Sequence, residues 1–180
     1  MPLANMPSGG VLALDLSRTT GWAYGPIDAV NPACGSWHLP STGGEGARFA
    51  AFENVLCETL DAYQPAKMLL EAPLALPGHN SMQVSCQQFG LRALAYVEAY
   101  RASCAVSEIG ATNVRQALLG QAWFAKDQVK KIVVAYCRRR GALVRDHNAA
   151  DAVMVWWWYQ GQLRGAPKLL PGPLFQIGAT

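Results

Sequence analysis

The sequence lacks the features of membrane and multidomain proteins. No stretch comes near the roughly 20 consecutive apolar residues of a membrane span, and residues 1–10 have neither a basic start nor an apolar signal core. We therefore expect a cytoplasmic protein that makes no contact with a membrane. With 180 residues, the chain has room for one domain and for no second large lobe.

The cysteines lack any pairing pattern. The chain has five, scattered singly and without a CxxC pair, at positions Cys34, Cys57, Cys86, Cys104 and Cys137. Neither a disulfide framework nor a zinc site is predicted from this spacing. We expect reduced thiols that are mostly buried and act as small hydrophobic side chains.

Basic residues are scarce in the first half of the chain, and acidic residues are scarce in the second. Up to Gly90 there are three basic and seven acidic residues, whereas from Leu91 onward there are twelve basic and five acidic residues. Clustered positive charge favours a polyanionic partner, because contacts with phosphates release bound counterions. The C-terminal half is therefore a candidate nucleic-acid surface, with an ordinary solvated face as the alternative.

Hydrophobic periodicity predicts a mixed sheet between helices. Three early strands are followed by a helix, a strand, a helix, a strand and three helices. The predicted strands are Gly10–Asp15, Trp22–Tyr24, Ala33–Leu39, Lys67–Glu71 and Cys104–Glu108, and the predicted helices span 47–63, 81–101, 112–119, 125–140 and 148–163. One domain is expected over residues 10–164, and the proline-containing segment 165–180 is expected to be a flexible tail.

Two of the predicted strands end in a carboxylate. Asp15 closes Val-Leu-Ala-Leu-Asp, and Glu71 closes Lys-Met-Leu-Leu-Glu, each before a loop rich in turn residues. If these strands are neighbours, the carboxylates face each other, which is costly unless a cation neutralises them. Magnesium suits such a site, because it prefers carboxylate oxygens. Taken singly, Asp15 could instead cap a turn, and Glu71 could be an exposed loop acid.

A third acidic element opens the last predicted helix. In Asp146-His-Asn-Ala-Ala-Asp151-Ala, any of the first three residues can cap the helix, and Asp151 lies about one turn inside it. The small alanines would let this helix approach the sheet closely, so that Asp151 could reach Asp15 and Glu71. The alternative is that these aspartates only offset the helix dipole.

These elements, in this order, resemble the RuvC-like Holliday junction resolvases, particularly their short bacteriophage-type members. The resemblance rests on Val-Leu-Ala-Leu-Asp15-Leu-Ser-Arg-Thr-Thr-Gly-Trp, Leu-Leu-Glu71-Ala-Pro-Leu and Asp146-His-Asn-Ala-Ala-Asp151-Ala, and covers roughly Val11–Gln162. It implies an α/β, ribonuclease H-like fold: a mixed five-stranded sheet, three antiparallel strands and then two parallel ones, flanked by helices. It also implies a magnesium-dependent endonuclease that resolves four-way junctions.

The resemblance also implies a two-metal site. Asp15 would bridge two Mg²⁺ ions, for which Mn²⁺ would substitute, and Glu71 and Asp151 would each complete one ion's site. Family members place an Asp or His three or four residues before the last Asp, where this sequence has Asn148 and His147. We expect His147 to be a ligand or to orient the attacking water, and we assign the helix cap to Asn148. Asp146 and Asn148 are reserve ligands.

Several residues are expected to contact branched DNA. The candidates for phosphate binding are Arg115, Lys126, Lys130, Lys131, Arg138, Arg139 and Arg140. The candidates for probing unpaired bases are His79, Asn80, Gln87, Gln88 and Phe89, although Phe89 could equally belong to the core.

A homodimer is also implied by the resemblance, because a two-fold dimer suits the two symmetric strands of a four-way junction. The run Trp156-Trp-Trp-Tyr159 cannot lie on one helix face, since successive residues turn by about 100°. We therefore expect at least one of these rings to pack outside the core of a single chain, against a partner subunit or another helix.

Three other functions stay open. The segment Leu-Asp15-Leu-Ser-Arg-Thr-Thr-Gly is similar to the phosphate loop of sugar kinases and actin-like ATPases. Those enzymes need two lobes, so no nucleotide cofactor is expected here. A junction-binding module without catalysis would bind but not cut. A ribonuclease H-like nuclease acting on flaps, forks or structured RNA has the same motifs, because this fold serves many substrates.

Overall fold

The computed structural model describes residues 9–72 and 82–165. In chain order its elements are β1 Val11–Asp15, β2 Thr19–Gly25, β3 Ala33–His38, α1 Gly44–Tyr63, β4 Lys67–Ala72, α2 Met82–Arg101, β5 Ala105–Gly110, α3 Ala111–Leu119, α4 Lys126–Arg139 and α5 His147–Leu163. The tail beyond residue 165 and the candidate base-probing residues His79 and Asn80 lie outside the described residues. No helix within the described ranges is long and apolar enough to cross a membrane.

The five strands form one mixed sheet in the order β3-β2-β1-β4-β5. β1, β2 and β3 are antiparallel neighbours, whereas β4 is parallel to both β1 and β5. This confirms the predicted ribonuclease H-like architecture. β2 begins at Thr19, inside the segment that we predicted to be a turn, because Thr19 and Thr20 already pair with His38 and Trp37 of β3.

Side chains alternate along β1 between two hydrophobic layers, as the two-residue period of a strand requires. Leu12 and Leu14 are buried in the layer that includes Phe52 of α1 and Leu91 of α2. Ala13 is buried in the layer that includes the middle of α5 and parts of α3 and α4. The sheet therefore lies between two helical layers, and α5 packs across β1, β2 and β3.

The tryptophan run is accommodated within one chain. Trp156 and Trp157 are buried, and Trp158 and Tyr159 are half-buried against the same hydrophobic layer. Trp157 meets the ring of Tyr136 on α4 edge to face, with ring centroids 6.2 Å apart. Trp157 thus packs against another helix, one of the two partners that we expected, but inside the hydrophobic layer of one chain. The expectation that a ring would pack outside that core is wrong, and these rings give no support to a dimer.

All five cysteines are free thiols. Cys104 and Cys137 are buried, and burial raises the pKa of these thiols to about 11 and about 12. They act as small core residues, as expected. Cys86 on α2 is exposed, which is a departure from the expectation of mostly buried cysteines.

Candidate active site

Asp15 and Glu71 lie side by side at one end of the sheet. β1 and β4 pair in parallel with Leu14 opposite Leu70, and Asp15 and Glu71 are the next residues on the two strands. Both residues are half-buried. The structure therefore brings together the two carboxylates that the sequence predicted to face each other.

Asp151 approaches the same point from helix α5. The first turns of this helix pack against the sheet, and three small residues in them are fully buried: Ala149, Ala150 and Ala152. The two backbones approach closely at Gly21, which pairs with Asp15 across β1 and β2. A Cβ atom on Gly21 would lie 1.9 Å from the carbonyl oxygen of Asn148.

Sequence reasoning missed the role of Gly21, which we placed in the loop before the predicted strand Trp22–Tyr24. Its signal was present in the sequence, because a lone glycine in the strand-like run Thr-Thr-Gly-Trp often marks close approach of another backbone. Gly21 lets the beginning of α5 contact β2, and this contact determines how far Asp151 stands from Asp15.

The three carboxylates share one poorly solvated environment. Burial, followed by the charge of Asp151, raises the pKa of Asp15 to about 7. Burial raises the pKa of Asp151 to about 6. Burial, Asp15 and Asp151 together raise the pKa of Glu71 well above its ordinary value. Each carboxylate is costly to ionise without a nearby positive charge.

Two cationic side chains act on this cluster. The charges of Arg115 on α3 and Lys130 on α4 lower the pKa of Asp15 and of Asp151, against the effect of burial. Arg115 has the same effect on Glu71. We predicted both cations as phosphate-binding residues, but sequence alone did not indicate that they stand beside the carboxylates.

Asp146, not Asn148, caps helix α5. Its side chain accepts a hydrogen bond of 2.9 Å from the backbone N–H of Ala149 and one of 2.8 Å from the Ser36 hydroxyl on β3. Burial opposes ionisation of Asp146, but these hydrogen bonds prevail and lower its pKa. Our assignment of the cap to Asn148 is therefore wrong, because Ser36 fixes the carboxylate one residue before the helix begins.

His147 is the first residue of α5 and points toward α4. Lys130 Nζ lies 2.9 Å from its Nε2 atom, so the ammonium donates and the neutral ring nitrogen accepts. Burial, followed by the charge of Lys130, lowers the pKa of His147. Because Lys130 also acts on Asp15 and Asp151, the imidazole is linked to the carboxylates through this lysine.

The donor chemistry of the three carboxylates fits a hard divalent cation, because such ions prefer negatively charged oxygen ligands. Their raised pKa values also favour a bound cation, since a cation would offset their mutual repulsion. Within the described ranges, however, no group of three or more acidic, histidine or cysteine side chains is arranged closely enough to hold a metal ion. The carboxylates therefore approach one another without forming a complete set of ligands.

A family comparison identifies the chain. The family model described as crossover junction endodeoxyribonuclease RuvC matches residues 38–156. The chain belongs to the RuvC family. It is therefore an endonuclease of the Holliday junction resolvase type, as the order of its motifs predicted. The matched region includes Glu71, His147 and Asp151 and begins after Asp15.

Three solved structures share the RuvC fold with this chain. Thermus thermophilus RuvC is 18% identical, with a TM-score of 0.64 over 88% of this chain and 98% of that one. The same protein in complex with a Holliday junction substrate is 17% identical, with a TM-score of 0.66 over 89% and 98%. The yeast mitochondrial Holliday junction resolvase Ydc2 is 13% identical, with a TM-score of 0.59 over 89% and 82%. No curated protein matches the sequence.

In this RuvC-family chain the predicted arginine cluster divides into different environments. Arg138 donates to the backbone carbonyl of Val144, and the Arg140 guanidinium stacks on Trp157, 4.3 Å from the ring centroid. Arg139, together with Arg138, lines a surface depression of about 610 Å³ between α4 and the beginning of α5, whose other lining residues are Lys130, Lys131, Val134, Ala135 and His147. The side chain of Lys126 lies outside the described part of the chain.

The described candidates for base probing lie on α2. Phe89 is 59% exposed, so it is not a core residue. Gln87 and Gln88 are half-buried on the preceding turn. Their role toward DNA bases stays a prediction.

Proposed function

We propose that this RuvC-family chain cuts four-way DNA junctions with divalent metal ions held by Asp15, Glu71 and Asp151. The observation that carries the proposal is the meeting of three desolvated carboxylates at one end of the sheet, with raised pKa values for all three. Isolated structural acids are normally solvated or paired. Three carboxylates that repel one another at one end of a sheet fit a cation-binding role.

The metal ions, Mg²⁺ or in its place Mn²⁺, would stabilise the attacking and leaving oxygens of the phosphodiester. Asp15 would bridge the two ions, with Glu71 and Asp151 each completing one site, because the charges of Asp15 and Asp151 both act on Glu71 and that of Asp151 also acts on Asp15. Because metal ligands must be deprotonated, protons compete with the cation for these carboxylates. Raised pKa values therefore favour activity at neutral or higher pH.

Arg115 and Lys130 would hold the substrate phosphate beside the carboxylates. Both cations act electrostatically on Asp15 and Asp151, so a phosphate bound between them would be close to the reacting centre. Lys131 and Arg139 on the same face of α4 would extend the contact along the DNA backbone. His147, next to Lys130, would orient the attacking water or accept its proton.

A homodimer would present two such sites. The exposed face of α2 carries apolar and aromatic residues at helical spacing: Phe89, Ala93, Tyr96, Val97 and Tyr100. None of these five residues is charged, and Tyr100 is 86% exposed. A second copy of this chain is the partner that we propose, because two-fold symmetry matches the two strands to be cut.

The dimer is tested by Tyr100→Arg in light-scattering measurements of mass. We expect a folded monomer that loses paired cutting of both strands. Leu143→Arg is the matched control, because Leu143 is 89% exposed and lies far from α2 in the sequence. A wild-type mass for Tyr100→Arg would place the dimer contact elsewhere.

The activity itself is tested with four-way, three-way and duplex DNA in the presence of Mg²⁺. Wild-type protein should cut the four-way junction, whereas Asp15→Asn, Glu71→Gln and Asp151→Asn should each bind the junction as well as or better than wild type without cutting it. Binding without cutting by the wild type would indicate a binding module. Preferred cutting of three-way DNA or structured RNA would indicate a different substrate for the same site.

A further inference from the structure

Arg92 joins three elements beside the candidate active site. Its Nη2 atom donates to the backbone carbonyl oxygen of Glu71 on β4 at 2.8 Å. Its Nε atom donates to Oε1 of Glu108 on β5 at 2.7 Å. Only 12% of the Arg92 side chain is exposed. One guanidinium therefore ties helix α2 to the residue that carries the candidate metal ligand.

Glu108, which accepts the hydrogen bond from Arg92 Nε, is itself held in a fixed position. Glu108 pairs with Leu70, one residue before Glu71, in the parallel ladder of β4 and β5. The hydroxyl of Tyr96 donates to the same Oε1 atom of Glu108 at 3.1 Å. The carboxylate thus receives hydrogen bonds from two side chains of α2, which limits its movement and that of Arg92.

We propose that Arg92 is a positioning residue for Glu71. The inference rests on the proposed role of Glu71 as a metal ligand. A hydrogen bond to the carbonyl of a residue limits rotation of its peptide plane and so fixes the direction of its Cα–Cβ bond. Glu71 is the second-last residue of β4. It still pairs with Ile109 of β5, but the pairing of β4 with β1 ends at Leu70. Arg92 adds a side-chain restraint at this point, and supporting contacts of this kind keep a ligand in its productive geometry.

Arg92 does not act as a phosphate contact. Its donors are directed to Glu71 and Glu108, and its side chain is nearly buried. Lysine cannot replace it, because a single ammonium lacks the fork that reaches a carboxylate and a carbonyl together. The position therefore requires the geometry of an arginine side chain. Loss of that side chain should lower turnover and metal affinity and leave junction affinity unchanged.

The test compares Arg92→Gln and Arg92→Lys with Arg101→Gln, which removes the same charge from the same helix. Arg101 is paired with Glu53 and Glu98, away from Glu71. The measurements are kcat and KM for the four-way junction, Tm, and Mn²⁺ binding by water proton relaxation without DNA. We expect both Arg92 variants to lose about tenfold or more in kcat and in Mn²⁺ affinity, with KM nearly unchanged. Arg101→Gln should match wild type in all three binding and rate measurements.

The outcomes separate the two proposals. If both Arg92 variants keep the wild-type kcat and Mn²⁺ affinity while Glu71→Gln is inactive, Arg92 has no positioning role. The proposed function is then unaffected. Normal cutting by Glu71→Gln would overturn the proposed function itself. If Arg92→Gln fails to fold, the measurements on Arg92→Lys test the positioning role, because this variant keeps the charge opposite Glu108. A rise in junction KM with unchanged Mn²⁺ affinity would make Arg92 a DNA contact.

Discussion

The α-carbon of Gly21 lies against the backbone carbonyl of Asn148, so closely that a Cβ on Gly21 would stand 1.9 Å from that oxygen. Gly21 is the strand partner of Asp15, and Asn148 lies three residues before Asp151. The separation of two candidate metal ligands therefore depends on a residue without a side chain. This contact between backbones sets the depth at which α5 rests on the sheet.

Gly21→Ala should damage both folding and cutting. The added methyl group must push α5 away from β2, which should cost about 1–3 kcal/mol in the free energy of unfolding. A displacement of about 1 Å at Asp151 should reduce cutting by roughly a hundredfold. Denaturant unfolding and a junction-cutting assay measure the two effects.

The control for this substitution is Gly161→Ala, on the same helix, where an added Cβ meets no atom within 4 Å. Alanine there should leave cutting unchanged and raise the stability by about 0.5–1 kcal/mol. If Gly21→Ala behaved like Gly161→Ala, the close approach of α5 would not control the site.

The metal-free protein should become less stable as the pH rises from 5 to 8. The pKa of Asp15 rises from its ordinary value of 3.8 to about 7 on folding, and that of Asp151 rises to about 6. Between these values the folded state binds more protons than the unfolded state, so a higher pH favours unfolding. We expect Tm to fall by about 5 °C or more across this range.

Asp15→Asn should reduce this dependence of Tm on pH, because it removes one of the titrating groups. Asp28→Asn, which removes an exposed acid from a loop, controls for the loss of one negative charge and should keep the wild-type slope. Millimolar Mg²⁺ should raise Tm at pH 8 in the wild type and much less in Asp15→Asn. A Tm independent of pH in the metal-free wild type would contradict the raised pKa values.

Substitutions at the neighbouring residues Arg139 and Arg140 should have different effects, the first on DNA binding and the second on stability. Arg139→Glu should weaken binding to every DNA structure and reduce the slope of log affinity against log salt by about 1, because it would remove a proposed phosphate contact. Arg140→Gln should instead lower stability by about 0.5–1 kcal/mol, since it removes the cation stacked on Trp157. Equal effects of both substitutions on the salt slope would show that stacking does not keep Arg140 from the DNA.

His147 and Asp146 can be distinguished at the beginning of α5. His147→Ala should lower cutting with Mg²⁺ by about tenfold or more and change the acid limb of the pH–rate profile. Asp146→Asn should cut nearly normally, because asparagine also caps helices well and can keep the contact with Ser36. The opposite result, with His147→Ala active and Asp146→Asn inactive, would make Asp146 the fourth ligand.

The strand-end carboxylates could be predicted from the sequence because their signal is local. An apolar run that stops at an acid, as in Leu14-Asp15 and Leu70-Glu71, marks the end of a buried strand. The adjacency of β1 and β4 then followed from resemblance to one family. The pairing of Leu14 with Leu70 agrees with that expectation.

The contacts that the sequence did not reveal depend on residues far apart in the chain. Three consecutive polar residues could cap α5, and Ser36 on β3, 110 positions before Asp146, selects the aspartate. Arg138 and Arg140 look alike in the sequence, but one binds the Val144 carbonyl and the other a tryptophan ring. Local patterns carry no information on such partners.

Helix α5 is buried along most of its length, which limits local unfolding around Asp151. Its residues from Ala152 to Trp157 are buried, and Gln160 ties its C-terminal half to the carbonyls of Ile27 and Ala29. Amide protons of well-buried core helices exchange with solvent mainly through global unfolding. We therefore expect the amides of α5 to be among the slowest to exchange, and local opening at the molecule's edges to leave the spacing of the carboxylates intact.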